Sequence, residues 1–287
     1  MTVVPDAEEG LRSAGLDNVG RVLRSTGERV MAWSRTSDTI HVPGNGEGEC
    51  AGYFVKRYHY PGRVRRIWHM VLSVFGMRDR AQLEFEVLRT CASRELPVVR
   101  AVAAARRKRF GMLHSAFLIT EEFDGSESLS ESAVRGIRGP RERRAIIGEL
   151  AGAIARLHRA GVIHGQLFWR NILIRPGDSG RYDIRLIDFA VGSGRKRRAR
   201  SKARDLGALG SLAHRFASRT DCVRFMRAYA AASRLDPAAR VLLREAARIA
   251  SDYRDAEERR LVLAELFRTE ADEAPESGAT EMKHQRS

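Results

Sequence analysis

The chain has 287 residues, of which 43% are hydrophobic, so it can bury one large core or the cores of two ordinary domains. Its three cysteines, Cys50, Cys91 and Cys222, are widely spaced and odd in number, which argues against a disulfide framework or a cysteine metal cluster. Residues 1–10 do not resemble a signal peptide, and no apolar run of about 18 or more residues occurs. We therefore expect a cytoplasmic protein without a membrane-spanning helix.

The charge balance is strongly basic, with 51 Lys and Arg residues against 36 Asp and Glu residues and a formal net charge of +15. Such a chain attracts anionic partners, and nucleic acid, an acidic membrane surface and an anionic saccharide are all candidates. No recognised nucleic-acid motif with interleaved aromatic residues is found, so specific nucleic-acid binding is not expected. Arginines on solvated faces account for part of the excess.

The first part of the chain predicts a small β-rich unit. Residues 1–28 have scattered apolar positions and are expected to form a helical lead-in. Three β-prone runs, at residues 30–33, 39–42 and 53–58, alternate with turn-rich segments, which is typical of a three-stranded antiparallel meander. Two further strands are expected at residues 98–104 and 116–123.

Two helices are predicted between the meander and these later strands. The first, at residues 63–78, has apolar residues at helical spacing and a basic flank. Such a helix can lie on an anionic bilayer surface or pack against its own domain, and the sequence leaves both open. The second helix, at residues 80–94, ends before Pro97.

The second half of the chain is predicted to be mainly helical. One helix opens at Pro140, where the missing N–H is tolerated in the first turn, and ends at Gly161. Further helices are expected to begin near Asp205, Asp221 and Asp236. The polar residues 269–287 are expected to be disordered.

The most informative segment lies between these helices. It reads His164-Gly165-Gln166-Leu167-Phe168-Trp169-Arg170-Asn171, followed by a predicted β-hairpin and then by Asp188-Phe189-Ala190. The side-chain oxygens of Asn171 and Asp188 are hard ligands of the kind that Mg²⁺ prefers, and the hairpin would fix their separation. An ordinary hairpin with a polar lead-in is the alternative interpretation.

This order of residues resembles the catalytic core of protein-kinase-like phosphotransferases, which read His, any residue, Asp, four more residues, Asn, and later Asp-Phe-Gly. The resemblance implies an α+β, two-lobed protein-kinase-like fold, with a small β-rich N-lobe at residues 29–125 and a larger helical C-lobe at residues 126–268. It also implies ATP and Mg²⁺ as cofactors, with Asn171 and Asp188 as catalytic, metal-binding residues. Gln166 occupies the position of the catalytic general-base Asp.

Two more positions would complete a kinase-like site. The third predicted strand contains Lys56, where kinases place the lysine that binds the nucleotide phosphates. The helix at residues 80–94 should supply a carboxylate that holds this lysine. Glu84 is the first choice and Glu86 the alternate, since the two project to different faces. The simpler alternative is that all three are solvated surface residues.

Seven Lys and Arg residues lie within residues 195–204. Alone, such a run indicates a disordered loop or a general nucleic-acid patch. Kinases have their activation segment at this place in the chain, so a surface for an acidic acceptor is the second interpretation. The next residue, Asp205, can either brace the backbone of the loop at His164 or cap its own helix.

Together these motifs resemble the lipopolysaccharide core kinases, the bacterial Kdo and heptose kinases, over residues 30–250. The segments that carry the resemblance are Tyr53-Phe54-Val55-Lys56-Arg57-Tyr58, Glu84-Phe85, the loop from His164 to Asn171, Asp188-Phe189, Ala203-Arg204-Asp205-Leu206 and Arg224-Phe225-Met226-Arg227-Ala228-Tyr229. The resemblance implies phosphorylation of a sugar of a lipid-linked anionic saccharide, the lipopolysaccharide core. It places the protein peripherally on the inner face of the cytoplasmic membrane, with that saccharide or the membrane surface as partner.

Two residues depart from the family pattern. Ala190 replaces the glycine that follows Asp188-Phe189, which is a mild change. Gln166 replaces the catalytic Asp, and an amide cannot accept a proton as a carboxylate does. The expected function is therefore an ATP- and Mg²⁺-dependent sugar kinase of reduced activity. The alternative is a pseudokinase that acts as a nucleotide-binding or partner-binding module.

Overall fold

The structure is a computed structural model that describes residues 1–34, 37–44, 51–60, 79–110, 112–136, 139–177, 180–191 and 201–272. Within these residues the N-terminal part is built on an antiparallel sheet, and the C-terminal part is mainly helical. The α+β class predicted from the sequence is confirmed. The predicted helix at residues 63–78 lies outside the described part of the chain. So do residues 195–200 of the basic run at residues 195–204.

Six strands within the described residues form the N-terminal sheet. They are β1 (Thr2–Val3), β2 (Glu28–Ser34), β3 (Ser37–Pro43), β4 (Gly52–His59), β5 (Ala101–Arg109) and β6 (Met112–Glu121). Their order across the sheet is β1-β5-β6-β4-β3-β2. The predicted meander corresponds to β2, β3 and β4, with Ile40 opposite Val55 and Val55 opposite Ile119.

The alternation of side chains along β4 gives the sheet two different faces. Val55 is fully buried on one face, in an apolar cluster with Phe117 and Ile119. Lys56 and Tyr58, on the opposite face, both contact Glu84. The sheet therefore presents one face to an apolar core and the other to the predicted site.

The N-terminal segment covers the apolar face of the sheet. It consists of β1, a 3-10 turn (Pro5–Ala7) and two short helices, α1 (Glu8–Ser13) and α2 (Val19–Arg24). Leu11, Leu16 and Val22 are buried in the same cluster as Val55. Residues 1–28 are thus packed on the sheet that they were expected only to precede, and Thr2 and Val3 add a strand to it beside β5.

The opposite face of the sheet packs on α3 (Arg80–Ala92). Asp79 caps this helix, because its carboxylate accepts the Gln82 N–H at 3.1 Å. Phe85 and Leu88 are buried against the sheet and belong to a cluster that continues into the C-terminal part through Ile154 and Phe189. The two parts of the chain therefore share a core behind the predicted site.

The C-terminal part contains six helices within the described residues. They are α4 (Leu129–Arg135), α5 (Pro140–Arg159), α6 (Lys202–Gly210), α7 (Ala213–Phe216), α8 (Arg219–Tyr229) and α9 (Pro237–Asp272). Helix α4 was not predicted, although its capping box between Ser128 and Glu131 is a sequence signal. Helix α9 continues to Asp272, so the predicted start of the disordered tail, residue 269, is too early. Residues 273–287 lie outside the described part.

A small sheet positions the segment that follows the predicted hairpin. It is formed by β7 (Glu127–Ser128), β8 (Ile172–Pro176) and β9 (Tyr182–Leu186), and β8 and β9 are the two arms of that hairpin. Leu186 donates its N–H to the Pro97 carbonyl at 2.9 Å. This bond ties the end of β9 to the chain just before β5, so residue 188 is held between the two parts. None of the described helices is long and apolar enough to cross a membrane.

Helix α6 packs closely on α9 at a glycine. A Cβ at Gly207 would lie 2.6 Å from Ile249 Cγ2 and 2.8 Å from Ile249 Cβ. We expect Gly207→Ala to lower the free energy of unfolding by about 1–3 kcal/mol, because the helices must separate. Gly152→Ala in α5 is the matched control, since its Cβ would meet nothing within 4 Å. It should be neutral or stabilising by up to about 1 kcal/mol in the same urea titration; equal effects of the two changes would contradict this packing.

Candidate active site

The loop that contains Gln166 is held from beneath by one buried carboxylate. Asp205, in the first turn of α6, accepts the His164 N–H at 2.8 Å and the Gly165 N–H at 2.7 Å. Its Oδ2 also lies 3.1 Å from His158 Nε2. The N-cap of α6 is Ser201, whose hydroxyl accepts the Arg204 N–H. Of the two roles considered for Asp205, the structure therefore shows the brace and not the cap.

Asn171 closes the loop from its other end. Its Nδ2 donates to the Gln166 carbonyl at 2.9 Å, and the residue is 1% exposed. Because the NH₂ group of the amide is used in this way, its oxygen points to the other side of the group. Ile187 also donates its N–H to the Asn171 carbonyl at 3.0 Å. Asn171 is thus fixed both to the loop and to the segment just before Asp188.

Asp188 has a left-handed backbone conformation with φ of 58°. Such a conformation is uncommon for a residue other than glycine, although Asp adopts it more readily than most. Phe189 is buried against His164, with ring centres 4.2 Å apart, and Ala190 donates its N–H to the His164 carbonyl at 2.9 Å. Ala190 has no positive φ. The alanine at this position therefore introduces no backbone strain.

Lys56 links the sheet, α3 and the segment after β9. Its Nζ lies 3.1 and 3.2 Å from the two oxygens of Glu84 and 2.5 Å from Asp188 Oδ1. Glu84 is 2% exposed and also accepts the Tyr58 hydroxyl at 2.6 Å. Of the two candidate carboxylates on α3, the structure brings Glu84 to Lys56 and leaves Glu86 on another face.

The charges of this cluster reinforce one another. Burial alone would lower the pKa of Lys56, but the nearby Glu84 and Asp188 carboxylates outweigh it and raise the pKa above its usual range. Burial alone would raise the pKa of Asp188, but the Lys56 ammonium outweighs it and lowers that pKa. Lys56 and Asp188 are therefore both ionised at neutral pH. An ammonium and a carboxylate held in this way can bind phosphate oxygens and a metal cation, respectively.

His164 is neutral at neutral pH. Complete burial lowers its pKa to about 4, against the opposing charges of Asp205 and Asp188. Its Nδ1 accepts the Gln166 N–H at 3.2 Å, which places the ring proton on Nε2. His164 therefore shapes the loop as an uncharged ring packed against Phe189.

Gln166 stands in a backbone position that is fully fixed. Its N–H bonds to His164, and its carbonyl accepts both the Phe168 N–H at 2.8 Å and the Asn171 amide. The side chain is half-buried. Its amide can donate and accept hydrogen bonds, but it cannot take up a proton at neutral pH. The position can thus orient a reacting hydroxyl without deprotonating it.

A polar and aromatic cluster forms around Phe168, two residues after Gln166 in the chain. Arg170 stacks on Phe168, with 4.4 Å from its guanidinium carbon to the ring centre, and pairs with Glu257 of α9. Tyr253 packs edge-on against Phe168 at 5.3 Å. Glu257 was missed in the sequence because 87 residues separate it from Arg170. Tyr58 was also missed, although its place two residues after Lys56 puts it on the same face of β4.

The oxygen donors fit a hard divalent cation. The Asn171 amide oxygen and the Asp188 carboxylate come from the two ends of the β8–β9 hairpin, and oxygen donors of this kind suit Mg²⁺. Among the described residues, no group of three or more His, Cys, Asp and Glu side chains could hold a metal alone. A cation at this place would therefore need phosphate and water oxygens to complete its coordination, which is how Mg²⁺ is usually held.

The model of the lipopolysaccharide kinase (Kdo/WaaP) family matches residues 16–229. The chain belongs to this family. The match includes Lys56, Glu84, Gln166, Asn171, Asp188 and Asp205, and the family resemblance inferred from the sequence is confirmed.

Relatives of this lipopolysaccharide kinase family member match parts of it. It is 38% identical over 133 residues to the 3-deoxy-D-manno-octulosonic acid kinase of Xanthomonas axonopodis pv. citri, a match that covers 46% of this chain and 49% of that protein. It is also 38% identical over 77 residues to the EKC/KEOPS complex subunit BUD32 of Cryptococcus neoformans, covering 26% of each. The chain thus spans about half the length of the first relative and a quarter of the second.

A solved structure shares the fold over nearly the whole chain. WaaP in complex with acyl carrier protein matches with a TM-score of 0.58 and 22% identity, over 91% of this chain and 99% of that one. The predicted two-lobed, kinase-like fold is therefore confirmed.

The neutral His164 predicts a specific pH dependence of stability for this lipopolysaccharide kinase family member. The unfolded state binds a proton on His164 below pH about 6.5, whereas the folded state resists it down to about pH 4. The contribution of neutral His164 to the free energy of unfolding should therefore be fully present above this pH window and be lost as the pH falls through it. We expect His164→Gln to be less stable than wild type at pH 7, with a gap that narrows by about 2 kcal/mol at pH 5. The free energies of unfolding are measured by urea titration at both pH values. The same difference between the two proteins at pH 7 and pH 5 would contradict a neutral His164.

Proposed function

We propose that the chain transfers the γ-phosphate of ATP to a hydroxyl of a sugar in a lipid-linked anionic saccharide, the lipopolysaccharide core, with Mg²⁺ as the metal. The observation that carries this proposal is the contact of Lys56 with both Glu84 and Asp188. It joins a phosphate-binding cation to a metal-binding carboxylate beside a loop that supplies Asn171. The 3-deoxy-D-manno-octulosonic acid kinases among the relatives support a Kdo sugar as the acceptor.

Each residue of the cluster has a distinct part in this proposal. Lys56 binds the α- and β-phosphates, and Glu84 keeps its ammonium in place through two hydrogen bonds. Asn171 and Asp188 would hold Mg²⁺, which when bound neutralises charge on the phosphates. Strand β6 leads into residues 122–125 between the two parts of the chain, and the backbone of this segment would meet the adenine.

Gln166 would limit the rate of transfer. General-base catalysis contributes about 10²–10⁴-fold to such reactions, and an amide cannot supply it. Phosphoryl transfer depends mainly on positioning and charge stabilisation, however, and hydrogen bonds to His164 and Asn171 hold the backbone at Gln166. Slow transfer, with the amide orienting the acceptor hydroxyl, is therefore the expected behaviour.

The cluster around Phe168 supports an anionic saccharide as acceptor. Phe168, two residues after Gln166, packs edge-on against Tyr253, and Arg170 covers its ring. Arg204, in the first turn of α6, reaches the Tyr253 hydroxyl at 3.5 Å. Cations and aromatic rings in one place suit a sugar that carries a carboxylate or phosphate. A lipid-linked acceptor of this kind would place the protein on the inner face of the cytoplasmic membrane.

A pseudokinase is the second candidate function, and Gln166 is the specific observation that favours it. In that case the Lys56 cluster and Asn171 would bind a nucleotide, or support a partner-binding surface, without turnover. The two functions share the binding step and differ only in transfer, so both steps must be measured.

We expect Mg-ATP to raise the melting temperature of the wild-type protein, because the bound state is stabilised by mass action. The rise should vanish in Asp188→Ala and Asn171→Ala, which lose metal ligands. Glu84→Gln should reduce it, since Lys56 loses the carboxylate that holds it, whereas Glu86→Gln on the same helix is the matched control and should leave it unchanged. No rise at millimolar Mg-ATP in wild type would overturn the proposed nucleotide site.

The same proteins should then be tested for transfer of radiolabelled γ-phosphate to a Kdo-terminated lipid acceptor. Slow, Mg²⁺-dependent labelling by wild type that is lost in Asn171→Ala supports the kinase. Nucleotide binding with no labelling above that of Asn171→Ala supports the pseudokinase.

A further inference from the structure

The hairpin of β5 and β6 extends beyond its neighbouring strands. The last β4 pair on this side is His59 opposite Ser115, and β1 pairs only with Ala103 and Ala104. The pairs between Lys108 and Leu113 and between Arg109 and Met112 therefore have no neighbouring strand among the described residues. The end of the hairpin, where Lys108 and Arg109 pair with Leu113 and Met112, is therefore a two-stranded extension beyond the sheet. We call this extension, together with Phe110 and the adjoining edge residues Arg106 and Arg107, the basic ribbon.

The composition of the basic ribbon is unusual for a surface hairpin. Four consecutive exposed residues, Arg106, Arg107, Lys108 and Arg109, are cations, and Phe110 follows them at the apex with φ of 52°. Phe110 is 82% exposed, more than any other large hydrophobic side chain in the described part of the chain. Because side chains alternate along a strand, the cations line both faces of the ribbon behind this ring.

The base of the basic ribbon is firmly anchored. Leu113 is 5% exposed and belongs to the same core cluster as Phe85 of α3. Tyr60 donates its N–H to the His114 carbonyl at 3.2 Å, which continues the pairing with the chain after β4. The exposure of Phe110 is thus a property of a supported hairpin tip.

We propose that the basic ribbon docks the protein on an anionic bilayer, with Phe110 in the headgroup region and the cations on lipid phosphates. Binding of this kind combines apolar burial with attraction to anionic lipids, and the ribbon supplies both within five consecutive residues. The net charge of +15 draws the whole chain to the same surface. The inference rests on the proposed function in that a lipid-linked acceptor lies at a membrane.

A bilayer suits the basic ribbon better than a nucleic acid does. Proteins that bind single strands stack successive bases on several aromatic side chains along a groove. The basic ribbon has one aromatic ring, that of Phe110, at its tip. Its partner must therefore be deformable enough for this ring to insert. A fluid headgroup layer meets this requirement.

The test is sedimentation with phosphatidylcholine vesicles that contain or lack phosphatidylglycerol, at low and high salt. The first variant is Phe110→Ala, with Val241→Ala in α9 as control, since Val241 is 55% exposed. The second is Arg107→Gln/Lys108→Gln/Arg109→Gln, with Arg240→Gln/Arg244→Gln/Arg248→Gln as control, which removes three exposed charges from α9. Arg106 is kept because its positive charge favours the ionised form of Asp79, the N-cap of α3.

We expect the triple ribbon variant to bind anionic vesicles at least about tenfold more weakly at low salt, with a smaller effect at high salt. Phe110→Ala should weaken binding at both salt concentrations, because apolar burial is not screened, and both α9 controls should bind like wild type. In Phe110→Trp, lipids brominated in the upper acyl chain should quench a fluorescence component that wild type lacks.

Unchanged vesicle binding in the ribbon variants, or an equal loss in the α9 controls, would overturn the proposal. A loss of duplex-DNA binding in the ribbon variants with vesicle binding intact would instead identify a nucleic-acid surface, and would overturn it too. Transfer to a detergent-solubilised acceptor, measured on the same proteins, separates the two proposals. The ribbon variants should keep the wild-type rate there, so absence of transfer counts against the proposed function and not against docking.

Discussion

The contact of Lys56 with Glu84 and Asp188 is the interaction on which the arrangement of the site depends. It connects three separate elements: the third strand of the meander, helix α3 and the segment after the β8–β9 hairpin. Lys56 is largely removed from solvent, so leaving it without either carboxylate would be strongly unfavourable. The contact of Lys56 with both carboxylates therefore holds the small lobe in register with the large one.

Asp205 holds the loop that contains Gln166 in place in a similar way. A buried carboxylate that accepts two backbone N–H groups and contacts His158 is satisfied only when the loop has this one shape. The backbone of the loop is thus preserved although Gln166 cannot act as a base.

The structure brings together Lys56, Glu84 and Asp188, which the sequence placed in one site, while their roles stay predictions. Asn171 and Asp188 were assigned from their spacing around a hairpin, and Lys56 from its place in the third strand. The choice of Glu84 over Glu86 required the rotation of α3 against the sheet, which depends on packing. Glu257 and the pairing of Thr2 with Ala104 depend on contacts between residues far apart in the chain, which no local pattern encodes. The basic ribbon was not predicted, because its consecutive charged residues do not show the alternation of apolar and polar residues that indicates a half-buried strand.

In the proposed kinase, Gln166 is the single departure from a phosphotransferase site. The most direct test is the rate of phosphate transfer to a Kdo-terminated acceptor by Gln166→Asp compared with wild type. The account predicts a gain of at least about tenfold, with little change in the affinity for Mg-ATP, because only the side chain at position 166 differs from a competent site. A wild-type rate in the ordinary kinase range of about 1–100 per second, with Gln166→Asp equal or slower, would contradict it.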